Sequence, residues 1–260
     1  MASTSNGRQS RGWGWAAPTL GLASIIGVAA LIEALLQLGY INRFVVPPPS
    51  TVLASFWRVI TEEQIPERFL LTTSEALAAG LLITLVGVPL GLLLRRATLL
   101  RKATETWVAA FAAAPIVLAY PLFLVIFGRS ALTIVMIGFA AGLAPVILKT
   151  LEGLTAVRPV LINVGRTYSL SGWQRFWKIE FPAAMPTIFT GIRLGLIFAL
   201  INIVGVEFLI NFGGLGQLIN ELAERYDLPG VYASICFVIL VSVIFFASLE
   251  RLETWLRPGQ

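Results

Sequence analysis

Histidine is absent from all 260 residues, and cysteine occurs once, at Cys236. The first absence removes the commonest general base and the commonest metal ligand together. A lone cysteine forms no intramolecular disulfide, and Cys236 sits in a long apolar run, where it reads as a small apolar filler. Charge is scarce as well: 13% of residues are charged, about half the ~25% that a water-facing surface carries. There is no Gly-x-x-x-x-Gly-Lys-Ser/Thr loop to cradle ATP phosphates and no Gly-x-Ser-x-Gly elbow to present a nucleophile. Acidic residues inside the apolar runs are few, chiefly Glu33, Glu75 and Glu207. A proton-coupled carrier normally shows buried ionisable relays, and a secondary carrier often shows internal repeats. Neither pattern is visible here.

What fills the chain instead is apolar sequence, 57% of it. Lipid must be the solvent for much of the surface. A hydrocarbon core takes ~20 residues of helix to cross, and six runs are long enough: Ala16–Leu38, Phe69–Leu94, Thr104–Phe127, Ala131–Leu148, Pro186–Ile210 and Gly230–Leu249. An all-α polytopic membrane protein with six transmembrane helices is predicted, a single transmembrane domain over residues 1–260. Pro89, Pro115, Pro121 and Pro145 fall inside the runs, where neighbouring helices can re-satisfy the carbonyls they free. Gly87/Gly91, Gly138/Gly142 and Gly191/Gly195 are small-residue pairs that let helices approach closely.

Orientation follows from the basic residues. With both termini inside, the inner segments hold Arg8, Arg11, Arg95, Arg96, Arg101, Lys102, Lys149, Arg158, Arg166, Arg175, Lys178, Arg251 and Arg257, thirteen in all, against five outside at Arg43, Arg58, Arg68, Arg129 and Arg225. Both ends are therefore expected in the cytoplasm. The net charge of +5 is explained by this insertion bias and by anionic inner-leaflet lipid, with no nucleic acid as partner. The first apolar run exceeds the ~7–15 residues of a signal-peptide core, so it reads as a membrane anchor.

Three connecting segments carry pattern. Val46-Pro47-Pro48-Pro49-Ser50 is a stiff turn, followed by Val52, Leu53, Phe56, Trp57 and Ile60 at helical spacing, which predicts a short helix in the outer interface. Its role is capping the bundle in the first instance. The outer loop from Asn211 to Pro229 predicts a tight glycine turn and a short helix over Gln217–Tyr226, whose charges Glu221, Glu224, Arg225 and Asp227 suit either an outside partner or plain solvation. The third segment, Thr150 to Met185, lies inside. Pro159 suits a helix start, Val160, Leu161, Val164 and Tyr168 form one apolar stripe, Ser171-Gly172 breaks the helix, and Trp173–Glu180 makes another that Pro182 and Pro186 end before the next span. Two kinked amphipathic helices under the bundle would present a docking surface, or serve only as an interfacial linker.

The stretch NVGRTYSLSGWQRFWKIEFPAAMPTIFTGIRLG resembles the "EAA" loop of binding-protein-dependent ABC importer permeases, and in particular the nitrate/sulfonate/taurine/bicarbonate group. Asn163-Val164-Gly165 stands at the Glu-Ala-Ala position, Ser169 at the glycine and Phe181-Pro182 at the Leu-Pro. The turn at Val46–Ser50, Val206-Glu207-Phe208 and Gly213-Gly214-Leu215-Gly216 match further parts of that group's pattern, so the resemblance covers nearly the whole chain. It departs at Asn163, which is not acidic, and at Ser169, which must hold its turn without glycine's freedom. The resemblance implies a homodimer of permease subunits in the bacterial plasma (inner) membrane, two cytoplasmic ABC ATPase subunits that bind ATP and Mg²⁺, and an extracytoplasmic substrate-binding protein. No cofactor is expected in this chain. It also implies that Asn163, Val164, Gly165, Arg166, Thr167, Tyr168, Ser169, Leu170 and Ser171 couple to the ATPase, and that the substrate is a small anion such as a sulfonate, taurine, nitrate, bicarbonate or a carboxylate. The alternative from another class is a self-sufficient secondary carrier. For the substrate path, Arg193, Asn202 and Glu207 are the polar groups of the fifth span; equally, Arg193 can snorkel to the inner interface and Glu207 can bond a neighbouring helix.

Overall fold

The computed structural model describes residues 16–255, with side chains described for 19–251; Arg8, Arg11 and Arg257 of the inner charge count lie outside. Helices make up the described chain, and no strand occurs among the described residues. In order they are α1 (Ala16–Gln37), α2 (Pro49–Glu62), α3 (Ile65–Arg96), α4 (Thr98–Ala113), α5 (Tyr120–Phe127), α6 (Ala131–Thr155), α7 (Pro159–Thr167), α8 (Gly172–Arg175), α9 (Phe181–Ile210), α10 (Gly214–Glu224) and α11 (Leu228–Trp255). A 3-10 turn over Ile116–Ala119 precedes α5, and a π turn over Phe176–Glu180 joins α8 to α9.

The centre is built from α3, α6 and α9, with α6 packed on α9 and on α3 more extensively than any other pair of elements. Lipid tails offer no hydrophobic drive for helices to associate, so close backbone approach has to supply the contact. The predicted glycine pairs lie on this seam. A Cβ on Gly142 would land on the Gly195 carbonyl and on Ile83; one on Gly87 would stand 2.9 Å from Val146, and one on Gly191 2.6 Å from Lys149 Cβ. Ala79, Ile83, Ile134, Ile137, Ala199 and Ile203 fill the spaces between, fully buried. α1 and most of α11 keep their leucines, isoleucines and valines outward, as helices facing lipid do.

The six runs are recovered as five helices long and apolar enough to cross a membrane plus one bent pair. The bend corrects the third run. Instead of one straight helix over Thr104–Phe127, α4 stops at Ala113 and the chain turns by 88° before α5. The cause is Pro115: Ala114 ahead of it is forced extended, at φ −71° and ψ 135°, because the proline ring excludes the helical region for its predecessor. Pro121 falls in the first turn of α5, where no amide donor is missed. Pro89 and Pro145, by contrast, sit inside α3 and α6. A second correction concerns Pro182 and Pro186, which do not end the preceding helix. Gly172 to Ile210 runs as one helical stretch of 39 residues, because the wide π turn just ahead of Pro182 gives its ring room.

At one end α2 lies across α10 and α11. Its predicted stripe divides: Val52, Phe56 and Ile60, joined by Val59, pack on Ile65, Leu218, Leu222 and Ala233, while Leu53 and Trp57 point outward. Glu33 on α1 accepts from the Ser50 amide (3.1 Å) and hydroxyl (3.0 Å), capping the start of α2. Several charges of the Asn211–Pro229 loop are used internally. Glu221 pairs with Arg68 at 2.7 Å, Arg225 with Glu63 at 3.0 Å, and Asp227 with Arg58. They tie α2, α3, α10 and the start of α11 into one cap.

Candidate functional site

The opposite end carries the amphipathic segment, and its local chemistry explains its shape. Pro159 starts α7 with φ already helical and no donor wasted. The helix closes at Tyr168 through a two-bond turn: the Leu170 amide donates to the Gly165 carbonyl (3.0 Å) and the Ser169 amide to the Arg166 carbonyl (2.9 Å). That pattern needs its C′ residue in the left-handed region, and Ser169 is there, at φ +52°. Two residues on, Ser171 opens α8 by a reciprocal capping box, its hydroxyl accepting from the Gln174 amide (3.2 Å) and its own amide donating to Gln174 Oε1 (3.1 Å). The predicted break at Ser171-Gly172 is therefore a turn locked on both sides.

The mount is tight. Gly165 is buried, and a Cβ there would stand 2.8 Å from Ile179 Cδ1 and 3.2 Å from Arg175 Cγ, which is why a small residue occupies the position. Trp173, Phe176, Trp177 and Phe181 stack behind it at ring spacings of 5.1–6.5 Å. Glu180, nearly inaccessible, pairs with Arg95 from the end of α3 and with Arg175 at 2.9 Å. Glu180 lies six residues ahead of the apolar run at Pro186. Its burial pushes the carboxyl up, but the hydrogen bonds from Arg175 and Arg95 outweigh that and hold it below the usual carboxylate range.

Against this rigid backing the outward stripe is bare. Val160 is 63% exposed and Tyr168 76%, with Leu161 and Val164 between them at 40% and 45%. Of the predicted coupling residues, Asn163, Val164, Arg166, Thr167, Tyr168, Ser169 and Ser171 are exposed, Leu170 is half-buried, and Gly165 is the buried anchor.

Arg193, Asn202 and Glu207 all lie on α9, but the helix does not bring them together. At ~1.5 Å and ~100° per residue, Arg193 and Asn202 are about 13 Å apart along the axis and on opposite faces. Arg193 pairs with Glu250 of α11 at 3.9 Å, and the Asn202 amide donates to the Phe198 carbonyl at 2.8 Å. Glu207 is fully buried. It accepts from the Thr72 hydroxyl (2.7 Å) and the Gly216 amide (2.8 Å), while Thr72 in turn accepts from the Leu215 amide (2.9 Å). Gly213 and Gly214 have φ of +134° and +78°, and a Cβ on Gly214 would collide with the Glu207 carboxylate. The glycine loop thus folds around the acid. Thr72, buried on α3, is a partner of Glu207 that an apolar run does not reveal, since the run shows no facing register. Among the described residues no cluster of acidic or sulfur ligands is placed to hold a metal.

The fold is thus a multi-span α-helical bundle, with an exposed apolar stripe held rigidly at one end and a knitted cap at the other. Residues 83–258 match the family of the binding-protein-dependent transport system inner membrane component, and the chain belongs to that family of ABC importer permeases. It is 27% identical over 237 residues to the riboflavin transport system permease protein of Chloroflexus aurantiacus, covering 91% of this chain and 88% of that one. It is 32% identical over 188 residues to an osmoprotectant import permease protein of Salmonella typhimurium (70% and 86% covered) and 26% identical over 260 residues to the taurine transport system permease protein of Escherichia coli (95% and 92%). Its fold is that of a chain in the inward-facing MetNI methionine ABC transporter, with a TM-score of 0.65 at 16% identity over 74% of this chain and 96% of the other.

Proposed function

We propose that the chain forms the membrane path of an ATP-driven importer, working as a homodimer on two ATPase subunits and receiving a small solute from an external binding protein. The observation that carries the reading is the exposed stripe Val160, Leu161, Val164 and Tyr168 on an immobilised α7. An apolar face set in water gains about 25 cal/mol for each Å² that a partner covers, and the Gly165 anchor, the turn at Ser169 and the aromatic stack leave α7 little freedom to lose on docking. ATP and Mg²⁺ act in the partner ATPase, which this chain complements as a permease component.

The mechanical consequence follows from the correction at Pro182. α8 continues without a break into α9, and α7 is packed on that stretch at Gly165, against Ile179 and Arg175. A displacement of α7 and α8 by the ATPases therefore travels into α9 as a rigid-body motion. Arg193, Asn202 and Glu207 lie on that moving helix, and we assign the path to it. In this reading α7 and both termini face the bacterial cytoplasm, and the cap of α2 and α10 faces the binding protein. An anionic solute is the substrate class favoured, in keeping with relatives named for taurine and for aliphatic sulfonates.

The test is co-purification with the cognate ATPase, comparing wild type and Tyr168→Arg. The expected outcome is a stable wild-type complex and an intact permease without ATPase in the variant. Retention of the ATPase by Tyr168→Arg would remove the coupling assignment. Uptake into vesicles by the chain alone, driven by an ion gradient, would establish the secondary-carrier alternative.

A further inference from the structure

Beside the coupling mount, the end of α3 and the α8–π turn enclose a concavity of about 400 Å³ lined by Arg95, Arg96, Gly172, Arg175, Phe176 and Glu180. Its charge is unbalanced. Arg95 and Arg175 converge on the single carboxylate of Glu180, and no carboxylate among the described residues pairs with Arg96. Three guanidiniums against one carboxylate leave two positive charges uncompensated.

Arg96 is also oriented. Its guanidinium lies over the Phe176 ring, 5.8 Å from the centroid, a cation–π attraction that consumes none of its N–H donors. A planar fork of donors beside uncompensated positive charge suits a phosphate, which accepts bidentate hydrogen bonds from arginine. Gly172 leaves the floor clear, since a Cβ there would touch nothing within 4 Å.

The depth of the concavity identifies the kind of phosphate. Arg95 and Arg96 follow directly on Leu92-Leu93-Leu94, the last residues of an apolar run, and Trp173 and Trp177 project outward beside them. Exposed tryptophans at the end of an apolar run mark the headgroup level of a bilayer, and basic pockets at that level on the cytoplasmic side take anionic lipid headgroups. We infer that this concavity is a binding site for the phosphate of an anionic phospholipid of the inner leaflet, held chiefly by Arg96. A zwitterionic lipid brings its own cation into a site that is already positive and is disfavoured. A lipid seated there touches the α8–π turn that continues into α9, and so links bilayer composition to the coupling mount. The inference rests on this end facing the cytoplasm.

The probe is the full-length permease purified without its ATPase, with retained phosphatidylglycerol and phosphatidylcholine counted by native mass spectrometry. Failure to hold lipid is thereby read separately from failure to hold an ATPase. Wild type is expected to retain phosphatidylglycerol in preference to phosphatidylcholine, and Arg96→Gln to lose roughly tenfold in that preference, the scale of one hydrogen-bonded charged contact. Lys102→Gln, an exposed cation of the same end outside the concavity, is expected to change nothing. Gly172→Glu, which leaves every arginine in place and puts a carboxylate into the open floor, is expected to lose the lipid as Arg96→Gln does. Equal losses in Arg96→Gln and Lys102→Gln, or no preference in wild type, would overturn the site. Displacement of phosphatidylglycerol by millimolar inorganic phosphate would overturn the lipid as its occupant in favour of a soluble phosphate.

Discussion

Ser169→Gly offers a quantitative check on the turn between α7 and α8. Ser169 holds φ +52°, where the Cβ of an L-residue crowds the following carbonyl at a cost of about 1–2 kcal/mol. Glycine removes that cost but brings more freedom to the open chain, worth about 0.5–1 kcal/mol in the other direction. The net gain centres on about 0.75 kcal/mol in the closed turn (range about 0–1.5), a factor of roughly 3–4 in the opening equilibrium. The amides that report it are Tyr168, Ser169 and Leu170, which donate to Val164, Arg166 and Gly165. Hydrogen exchange of a peptide spanning residues 159–171 is expected to slow by that factor in Ser169→Gly. Ser169→Val is expected to speed it, since a β-branched side chain suffers more in the left-handed region. Faster exchange in Ser169→Gly than in wild type would refute the reasoning, because no strain would then have been stored at the turn.

The other expectations concern packing and the two buried acids. Gly142→Ala places a methyl on the Gly195 carbonyl, and separating α6 from α9 is expected to cost about 1–3 kcal/mol, read as a lower melting temperature in detergent; an unchanged value would show that the seam is loose. Glu207→Ala leaves the buried Thr72 hydroxyl and Gly216 amide without their acceptor, a loss of about 1–3 kcal/mol for each orphaned group. Its yield of folded protein is expected to fall, and full yield with transport abolished would instead give Glu207 a direct part in the path. Glu180→Gln takes the counter-charge from Arg95 and Arg175 and is expected to loosen the α3–α8 junction, seen as proteolytic cleavage between residues 158 and 180 with α6 and α9 intact.

Some of this architecture is visible in the residues alone because lipid imposes a simple demand. A spanning helix needs about twenty apolar residues in line, so the runs are legible whatever their neighbours do. The α7 stripe is equally local: Val160, Leu161, Val164 and Tyr168 share a face by helical spacing, and the Ser171 box and the Pro159 start are set by residues within one turn of themselves. The small-residue pairs mark a seam because only glycine leaves room for one.

Other features depend on what lies across the bundle. Pro115 breaks its run, with Ala114 extended ahead of it, while Pro89 and Pro145 stay inside helices, a difference that the residue types alone do not show. Pro182 and Pro186 look like stops in isolation, yet a π turn upstream carries the helix through them. The stripe on α2 splits because α10 and α11 cover only one side of it. Glu221, Arg225 and Asp227 suit solvent or a partner equally until Arg68, Glu63 and Arg58 are placed beside them by tertiary packing. Glu207 is one acid in an apolar run until Thr72, 135 residues earlier, and the Gly216 amide close around it. Composition and periodicity thus determined the solvent, the apolar runs and the exposed apolar face of α7 in this protein. Partnership between polar groups distant in sequence was decided by the fold, since a buried hydrogen bond depends on the position of both ends and the sequence records only one at a time.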